Sequence, residues 1–280
     1  MTVAESYVYC ERIARTRAKN FYYSFVLLSV SQRRAMCAVY AFMRYCDDLS
    51  DDESNTDRAG SMARWRADLQ QALAGGELPA GPVWPGFRDT VERFRIPHQY
   101  FYDMIEGVSS DLEPRRLQTF AELYDYCYKV ASVVGLTVIH IFGFESEEAL
   151  VLAEKCGIAF QLTNIIRDVR EDVGLDRVYL PAEDLKRFGV VEGDLAAAVP
   201  SAAFVELMRF EGARARAYYN ESRPLLGLVD KKSRSSLWAL IEIYSRLLER
   251  IEAARYDVLS QRVQLSTVEK AGIVFKGFLR

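Results

Sequence analysis

The stretch Ala35-Met36-Cys37-Ala38-Val39-Tyr40-Ala41-Phe42-Met43-Arg44-Tyr45-Cys46-Asp47-Asp48-Leu49-Ser50-Asp51-Asp52 passes within a few residues from unbroken apolar to densely acidic. A helix that is apolar on every side belongs in the interior, so this one is read as a buried helix ending in carboxylates. Residues at i and i+4 lie one above the other on a helix face, which pairs Asp47 with Asp51 and Asp48 with Asp52. The pattern recurs once. The apolar run Gly157–Ile166 is followed by Asp168-Val169-Arg170-Glu171-Asp172, which pairs Asp168 with Asp172. Crowded carboxylates repel one another, and a fold that crowds them twice points to a cation that neutralises them.

Working outward, apolar residues recur at spacings of three and four almost throughout, and alternating strand patterns are absent. Helices are predicted over 3–19, 31–49, 54–74, 84–95, 98–112, 119–142, 146–171, 201–222, 230–259 and 266–278. Glycine and proline breakers separate them, and Thr119 with Glu122 fits a capping box. No breaker region is long or polar enough to serve as a linker, so residues 1–280 read as one all-α domain of packed, mostly antiparallel helices. If the two acidic helices end at the same side of the bundle, their clusters face one central cavity.

Composition narrows the function. The chain of 280 residues has a net charge of -3, which leaves no basic footprint for nucleic acid. There is no basic, Ser-rich leader and no apolar signal region, so the cytoplasm is the expected location. The weakly polar stretch Val130–Phe144 is too short to span a bilayer. Five cysteines, none in a Cys-x-x-Cys pair, read as reduced core thiols. With only His98 and His140 present, a histidine-based nucleophilic or metal mechanism is disfavoured, and His140 reads as a satisfied core residue. Carboxylates without histidine or thiolate partners suit magnesium, which is usually held by one or two carboxylates plus substrate phosphate. Tyr40, Arg44, Asp47/Asp48 and Asp51 share one helical stripe; Gln161, Asn164, Asp168 and Glu171/Asp172 share another. Gln161 and Asn164 are amides inside an apolar run and require buried partners. Arg44 and Arg167 beside the clusters could bind phosphate, although Arg44 serves equally well as an i,i+4 partner of Asp48.

These stripes resemble the squalene/phytoene synthases. The likeness rests on Asp47-Asp48-x-x-Asp51 with Tyr40 and Arg44 upstream, and on Gln161-x-x-Asn164-x-x-Arg167-Asp168-x-x-Glu171-Asp172. Tyr126-Cys127-Tyr128 with Val130-Ala131 and Val134-Gly135, and Arg177-Val178-Tyr179-Leu180-Pro181, extend it. The resemblance runs from about Tyr9 to Arg262 and implies an all-α isoprenoid-synthase bundle with a central active-site cavity. It also implies a prenyltransferase that joins two prenyl diphosphates head to head, using several Mg2+ ions bridged by diphosphate. Asp47, Asp48 and Asp51 would form one metal site, and Asn164, Asp168 and Asp172 the other. Lys19, Asn20, Arg44, Arg167, Arg177, Tyr244 and Arg262 would meet substrate diphosphate or close the site. Tyr40 and Tyr126 would line the reaction zone, Phe21 would shape the channel, and Gln161 would orient the second site. By the same likeness one allylic diphosphate ionises, the 2,3 double bond of the other attacks, and proton loss gives a cyclopropylcarbinyl diphosphate. Tyr40 and the released diphosphate both stand as the base.

Within the family, Asn20–Phe25 and Tyr124–Gly135 look most like bacterial hopanoid-pathway enzymes making presqualene diphosphate from farnesyl diphosphate. NADPH would be needed only if the reaction continued to squalene. The alternatives are a phytoene synthase condensing two geranylgeranyl diphosphates, a dehydrosqualene synthase, a head-to-tail prenyl synthase, a terpene cyclase and a non-enzymatic helical lipid carrier. The segment Gly174–Pro181 is a candidate lid with Gly174 as hinge. The apolar, partly basic Ala271–Arg280 leaves open a brief contact with the inner face of a membrane, against the simpler reading of a packed terminal helix. Oligomeric state is not legible.

Overall fold

The computed structural model describes residues 1–18, 22–52 and 54–279. Its helices are α1 (Val3–Arg17), α2 (Tyr22–Phe25), α3 (Val30–Asp51), α4 (Arg58–Leu73), α5 (Trp84–Phe94), α6 (Gln99–Ser109), α7 (Phe120–Cys127) and α8 (Val133–Phe142). They continue with α9 (Glu148–Gly174), α10 (Ala182–Phe188), α11 (Glu192–Leu195), α12 (Ala202–Ser222), α13 (Leu225–Leu228), α14 (Lys231–Ala253) and α15 (Thr267–Phe278). The all-α reading holds, and each of the ten long segments expected from periodicity is helical. Local chemistry starts many of them. Thr2 with Glu5 and Ser266 with Glu269 form capping boxes, and the side chains of Ser29, Asp57, Thr119 and Ser201 accept from backbone N–H groups of the first turn. At Thr119 the box is only half made, because the Glu122 carboxylate accepts from Gln118 N instead.

Departures from the expected boundaries have physical causes. The single helix expected over 119–142 contains a π segment, Tyr128–Ser132, between α7 and α8. The last expected core helix stops at Ala253, where Arg255 and Tyr256 take positive φ values of 54° and 58°. Nothing marks such a turn when neither residue is glycine. Strands β1 (Arg115–Arg116) and β2 (Arg177–Val178) form a two-residue parallel pair, with Arg115 opposite Arg177. Gly174 has an ordinary helical backbone at the end of α9; the positive φ nearby, 58°, belongs to Asp176.

Two hydrophobic clusters fill the bundle. One gathers α1, α3, α4, α5, α6 and α8 around Phe42, whose ring stacks on Phe87 at 4.4 Å and on Trp65 at 5.3 Å. The other joins α7, α9, α12 and α14, and Phe160 packs against both. Each fully buried ring of this size contributes about 1.5–3 kcal/mol by leaving water. Buried polar residues fix element ends: Gln32 Nε2 donates to the Ile141 and Phe142 carbonyls and to Ser233 Oγ, tying α3 to α8 and α14. All five cysteines are buried and unbonded. The ring of His140 is flanked by Tyr100 and Phe144, but its Nε2 has no partner among the described residues, so the expected satisfied histidine is not observed.

The stretch Phe120–Phe142 and helix α9 are each long and apolar enough to cross a membrane by length and composition, beyond what Val130–Phe144 alone indicated. Here they pack on one another inside the bundle. They approach tightly at Gly157, where a Cβ would stand 2.6 Å from Ser132 Cα. The bare backbone of glycine is what allows α9 to lie against the π segment.

Candidate active site

Helices α3 and α9 carry their acidic ends to one side of the bundle, beside a cavity of about 330 Å³. Tyr40, Arg44 and Asp47 reach it from α3, Gln161 and Asn164 from α9, and Tyr244 from α14. The rest of its lining is mostly apolar, including Met36, Val39, Met104, Val134, Gly135 and Leu240. Phe160 and Tyr244 stack almost parallel, 4.3 Å apart at 8°, and give the wall an aromatic panel. A cationic carbon beside such a face is stabilised by the ring quadrupole. The half-buried amides meet one another: Asn164 Nδ2 donates to Gln161 Oε1 at 3.4 Å, and Asn164 also bonds Tyr244.

Burial and mutual repulsion perturb the carboxyl groups around the mouth. Burial pushes the Asp47 carboxyl up to about 7; Arg44 opposes this, while Asp51, Asp48 and Asp111 add to it. Burial likewise raises Asp172 to about 7, reinforced by Asp168 and Glu171 and opposed by Arg177. Asp111 therefore acts on a carboxylate of each cluster, while of the cluster carboxylates Asp47 alone is among the residues lining the cavity. Arg44 donates through Nη2 to Asp48, but its buried Nε has no partner among the described residues. An orphaned buried donor costs about 1–3 kcal/mol and suits an incoming anion.

Asp48, Asp51, Arg167, Asp168, Asp172, Arg177 and Arg262 are not among the residues lining the cavity. Asp48 faces outward between Arg44 and Arg17, whose Nη2 lies 2.8 Å away. Asp168 accepts from Arg167 Nε at 2.8 Å and lies 3.1 Å from Arg262, which also meets Glu171 at 3.1 Å. Together with Val258–Gln261 these residues line an adjoining surface groove. Arg177 comes within 3.9 Å of Asp51. Tyr126 is not among the residues lining the cavity; its ring stacks on Tyr179 and its hydroxyl donates to Asp111. Lys19, Asn20 and Phe21 lie outside the described residues. The motif reading gave no role to Asp111, Arg115, Tyr179 or Arg17. Tyr179 sat inside a quoted run, whereas Asp111 and Arg115 become visible only once β1 pairs with β2.

Every acidic donor here is a carboxylate oxygen, and no histidine or thiolate lies among the site residues, so the donor chemistry fits magnesium. Among the described residues no three of His, Cys, Asp and Glu gather into a cage.

The comparisons follow the same lines. The squalene/phytoene synthase family model matches residues 14–269. The chain belongs to the squalene/phytoene synthase family. Members of this family are prenyltransferases that catalyse head-to-head condensation and use a divalent metal for diphosphate binding. The chain is 35% identical to the 15-cis-phytoene synthase of Synechocystis sp., over 96% of this chain and 83% of that protein. It is 34% identical to the chloroplastic phytoene synthase 1 of Arabidopsis thaliana, over 96% and 65% respectively. A dehydrosqualene synthase crystal structure superposes with a TM-score of 0.91 and 30% identity, covering 99% of this chain and 96% of that one. The squalene synthase HpnC from Alicyclobacillus acidocaldarius gives 0.84 and 27%, over 91% and 96%. Membership makes the chain an enzyme and rules out the carrier reading, and the relatives' names favour the phytoene alternative over presqualene diphosphate.

Proposed function

We propose that this prenyltransferase condenses two geranylgeranyl diphosphates to phytoene within the cavity between α3 and α9. The observation that carries the chain length is the set of phytoene synthases matching 95–96% of the chain at 33–35% identity. Asp47, Asp48 and Asp51 would hold magnesium on one side, and Asn164, Asp168 and Asp172 on the other. Magnesium bound there supplies charge neutralisation to the leaving diphosphate. Arg44, Arg167, Arg177 and Arg262 orient the diphosphates, because a guanidinium fork matches two phosphate oxygens at once. Phe160 and Tyr244 shelter the allylic cation, and the apolar lining keeps water from it. Tyr40, at the rim beside Arg44, faces the reacting carbons. The whole chain acts as one domain.

A second reading has its own support. The close superposition on a dehydrosqualene synthase favours farnesyl diphosphate as substrate, stopping at presqualene diphosphate or continuing onward. Mass spectrometry of products from geranylgeranyl or farnesyl diphosphate alone, with magnesium and with or without NADPH, separates them. A C40 product from the first substrate is expected; exclusive turnover of the second overturns the chain-length assignment, and turnover of neither overturns the reaction.

We further propose transient contact with a membrane face, at the inner surface if the protein is cytoplasmic. Helix α15 packs Ile273, Val274 and Gly277 inward while exposing Val268, Phe275 and Phe278, with exposed Leu279 as its cap. Flotation with anionic vesicles should weaken in a Phe275→Ser/Phe278→Ser variant; equal flotation removes the idea.

A further inference from the structure

Asp111 belongs to neither acidic cluster. It lies in the single 3-10 turn Ser110–Leu112 that follows α6. Its Oδ2 accepts from the Tyr126 hydroxyl at 2.8 Å, and its Oδ1 from the Tyr179 hydroxyl at 2.9 Å. Its backbone carbonyl accepts from Arg177 Nη2 at 2.9 Å. The two tyrosine rings stack 4.6 Å apart, which presents both hydroxyls to one carboxylate. On strand β1, Arg115 pairs in register with Arg177 and lays its guanidinium 5.4 Å from the Tyr126 ring centre. The buried Nε of Arg115 has no partner among the described residues.

This knot matters because of where Arg177 goes next. Its guanidinium stands 3.9 Å from Asp51 of the first cluster, and its charge also acts on Asp172 of the second. Tyr179 lies two residues further along the same segment. Whatever fixes Tyr179 therefore fixes the approach of Arg177 to both clusters.

We propose that Asp111 is a positioning residue: its carboxylate clamps Tyr126 and Tyr179, and through Tyr179 it holds Arg177 between the two acidic clusters to receive diphosphate. The inference rests on the head-to-head diphosphate reading, since it assigns Arg177 to that ligand. An aspartate at this place is specific. Asparagine offers one acceptor oxygen in place of two, so one tyrosine hydroxyl loses its partner and both lose the charge that strengthens the bond.

The test uses the full chain and two readouts. Calorimetry measures binding of inorganic diphosphate in magnesium, and steady-state kinetics measures turnover of whichever prenyl diphosphate the wild type accepts. Asp111→Asn should weaken diphosphate binding and lower kcat/KM by about tenfold each while unfolding stays cooperative. Arg177→Lys should do likewise, and the double variant should fall within about twofold of the worse single, because residues on one network do not contribute independently. A role confined to supporting the fold would leave the two losses multiplying. Tyr179→Phe removes a single oxygen, should cost about threefold or more, and should show the same coupling to Arg177→Lys. It decides the matter if Asp111→Asn does not fold. Wild-type values within about twofold in both Asp111→Asn and Tyr179→Phe, or losses that multiply with Arg177→Lys, overturn the proposal. A wild type that turns over neither substrate yet binds magnesium diphosphate removes the reaction reading alone, and the calorimetry still judges Asp111.

Discussion

Replacing Gly157 by alanine should force α9 away from the π segment. The added Cβ would lie 2.6 Å from Ser132 Cα, 2.8 Å from Ser132 N and 3.0 Å from the Ala131 carbonyl carbon. All three are backbone atoms, so no side chain can swing aside. Carbon atoms rest comfortably at about 3.5–4.0 Å, so relief needs a shift of roughly 1 Å between two rigid elements. Overpacking of this kind costs about 1–3 kcal/mol, and alanine's better helix propensity returns about 0.5–1 kcal/mol. The net loss of about 0–2.5 kcal/mol, centred near 1, lowers Tm by roughly 2–4 °C for each kcal/mol in a domain of this size. Val130 and Ala131 of the same segment line the cavity, so turnover should fall too, by about tenfold. Gly174→Ala on the same helix is the control, because nothing lies within 4 Å of its Cβ position. Calorimetric melting of both variants beside a product assay checks the argument. If Gly157→Ala melts no lower than Gly174→Ala and keeps full turnover, the close-approach reasoning is wrong.

Asp47→Ala and Asp168→Ala should keep the helical circular dichroism of the parent and lose turnover by about a hundredfold or more, as expected of hard anionic ligands removed from a diphosphate site; normal activity in either contradicts its assignment. Chelation of divalent metal should abolish turnover without altering helix content, and added magnesium should restore it; activity that persists in chelator would refute the fit of the donor set. Arg214→Ala should destabilise the fold by about 3–5 kcal/mol, because it strands Glu211 and Asp184, 1% and 4% exposed, which Arg214 now meets at 2.8–2.9 Å. Burial raises Glu211 from 4.5 to about 7 against the pull of Arg214. The folded chain therefore holds a proton that the unfolded chain has lost, and stability falls as pH rises through that window. Losing Arg214 should steepen the fall, which urea unfolding at a series of pH values would register; a flat profile in the variant would contradict this.

Much of this was legible because the decisive patterns are local. An apolar helix that ends in carboxylates announces its burial, so Asp47 and Asn164 could each be placed on a polar stripe of a core helix, while the facing of the two stripes is a tertiary fact that the sequence does not hold. Shared stripes carried Tyr40, Arg44 and Gln161 to the same cavity, and the family resemblance carried Tyr244. What escaped was non-local or depended on an uncommon backbone. A π turn has no residue signature, so α7 and α8 read as one rod. The left-handed pair Arg255 and Tyr256 contains no glycine. Asp111 looks like any acid beyond a helix end until residues about 70 positions away pair beside it. His140 illustrates a general rule failing locally: the apolar helix was right, but its Nε2 finds no partner among the described residues.

The cavity's polar rim and apolar depth are built on the same helices. Asp47 and Met36 both belong to α3, and Asn164 and Ala153 both belong to α9, eleven residues apart in each case. Helical rise converts that interval to about 16 Å. With the diphosphate held at that rim as proposed above, the two rods would work as rulers whose zero mark is the anchored headgroup. Enlarging or blocking a residue one turn further down moves the end of the scale by about 5.4 Å and leaves the zero where it was. Relatives could diverge in the tails that they admit by exchanging residues at the far end alone, while the reacting end stays untouched.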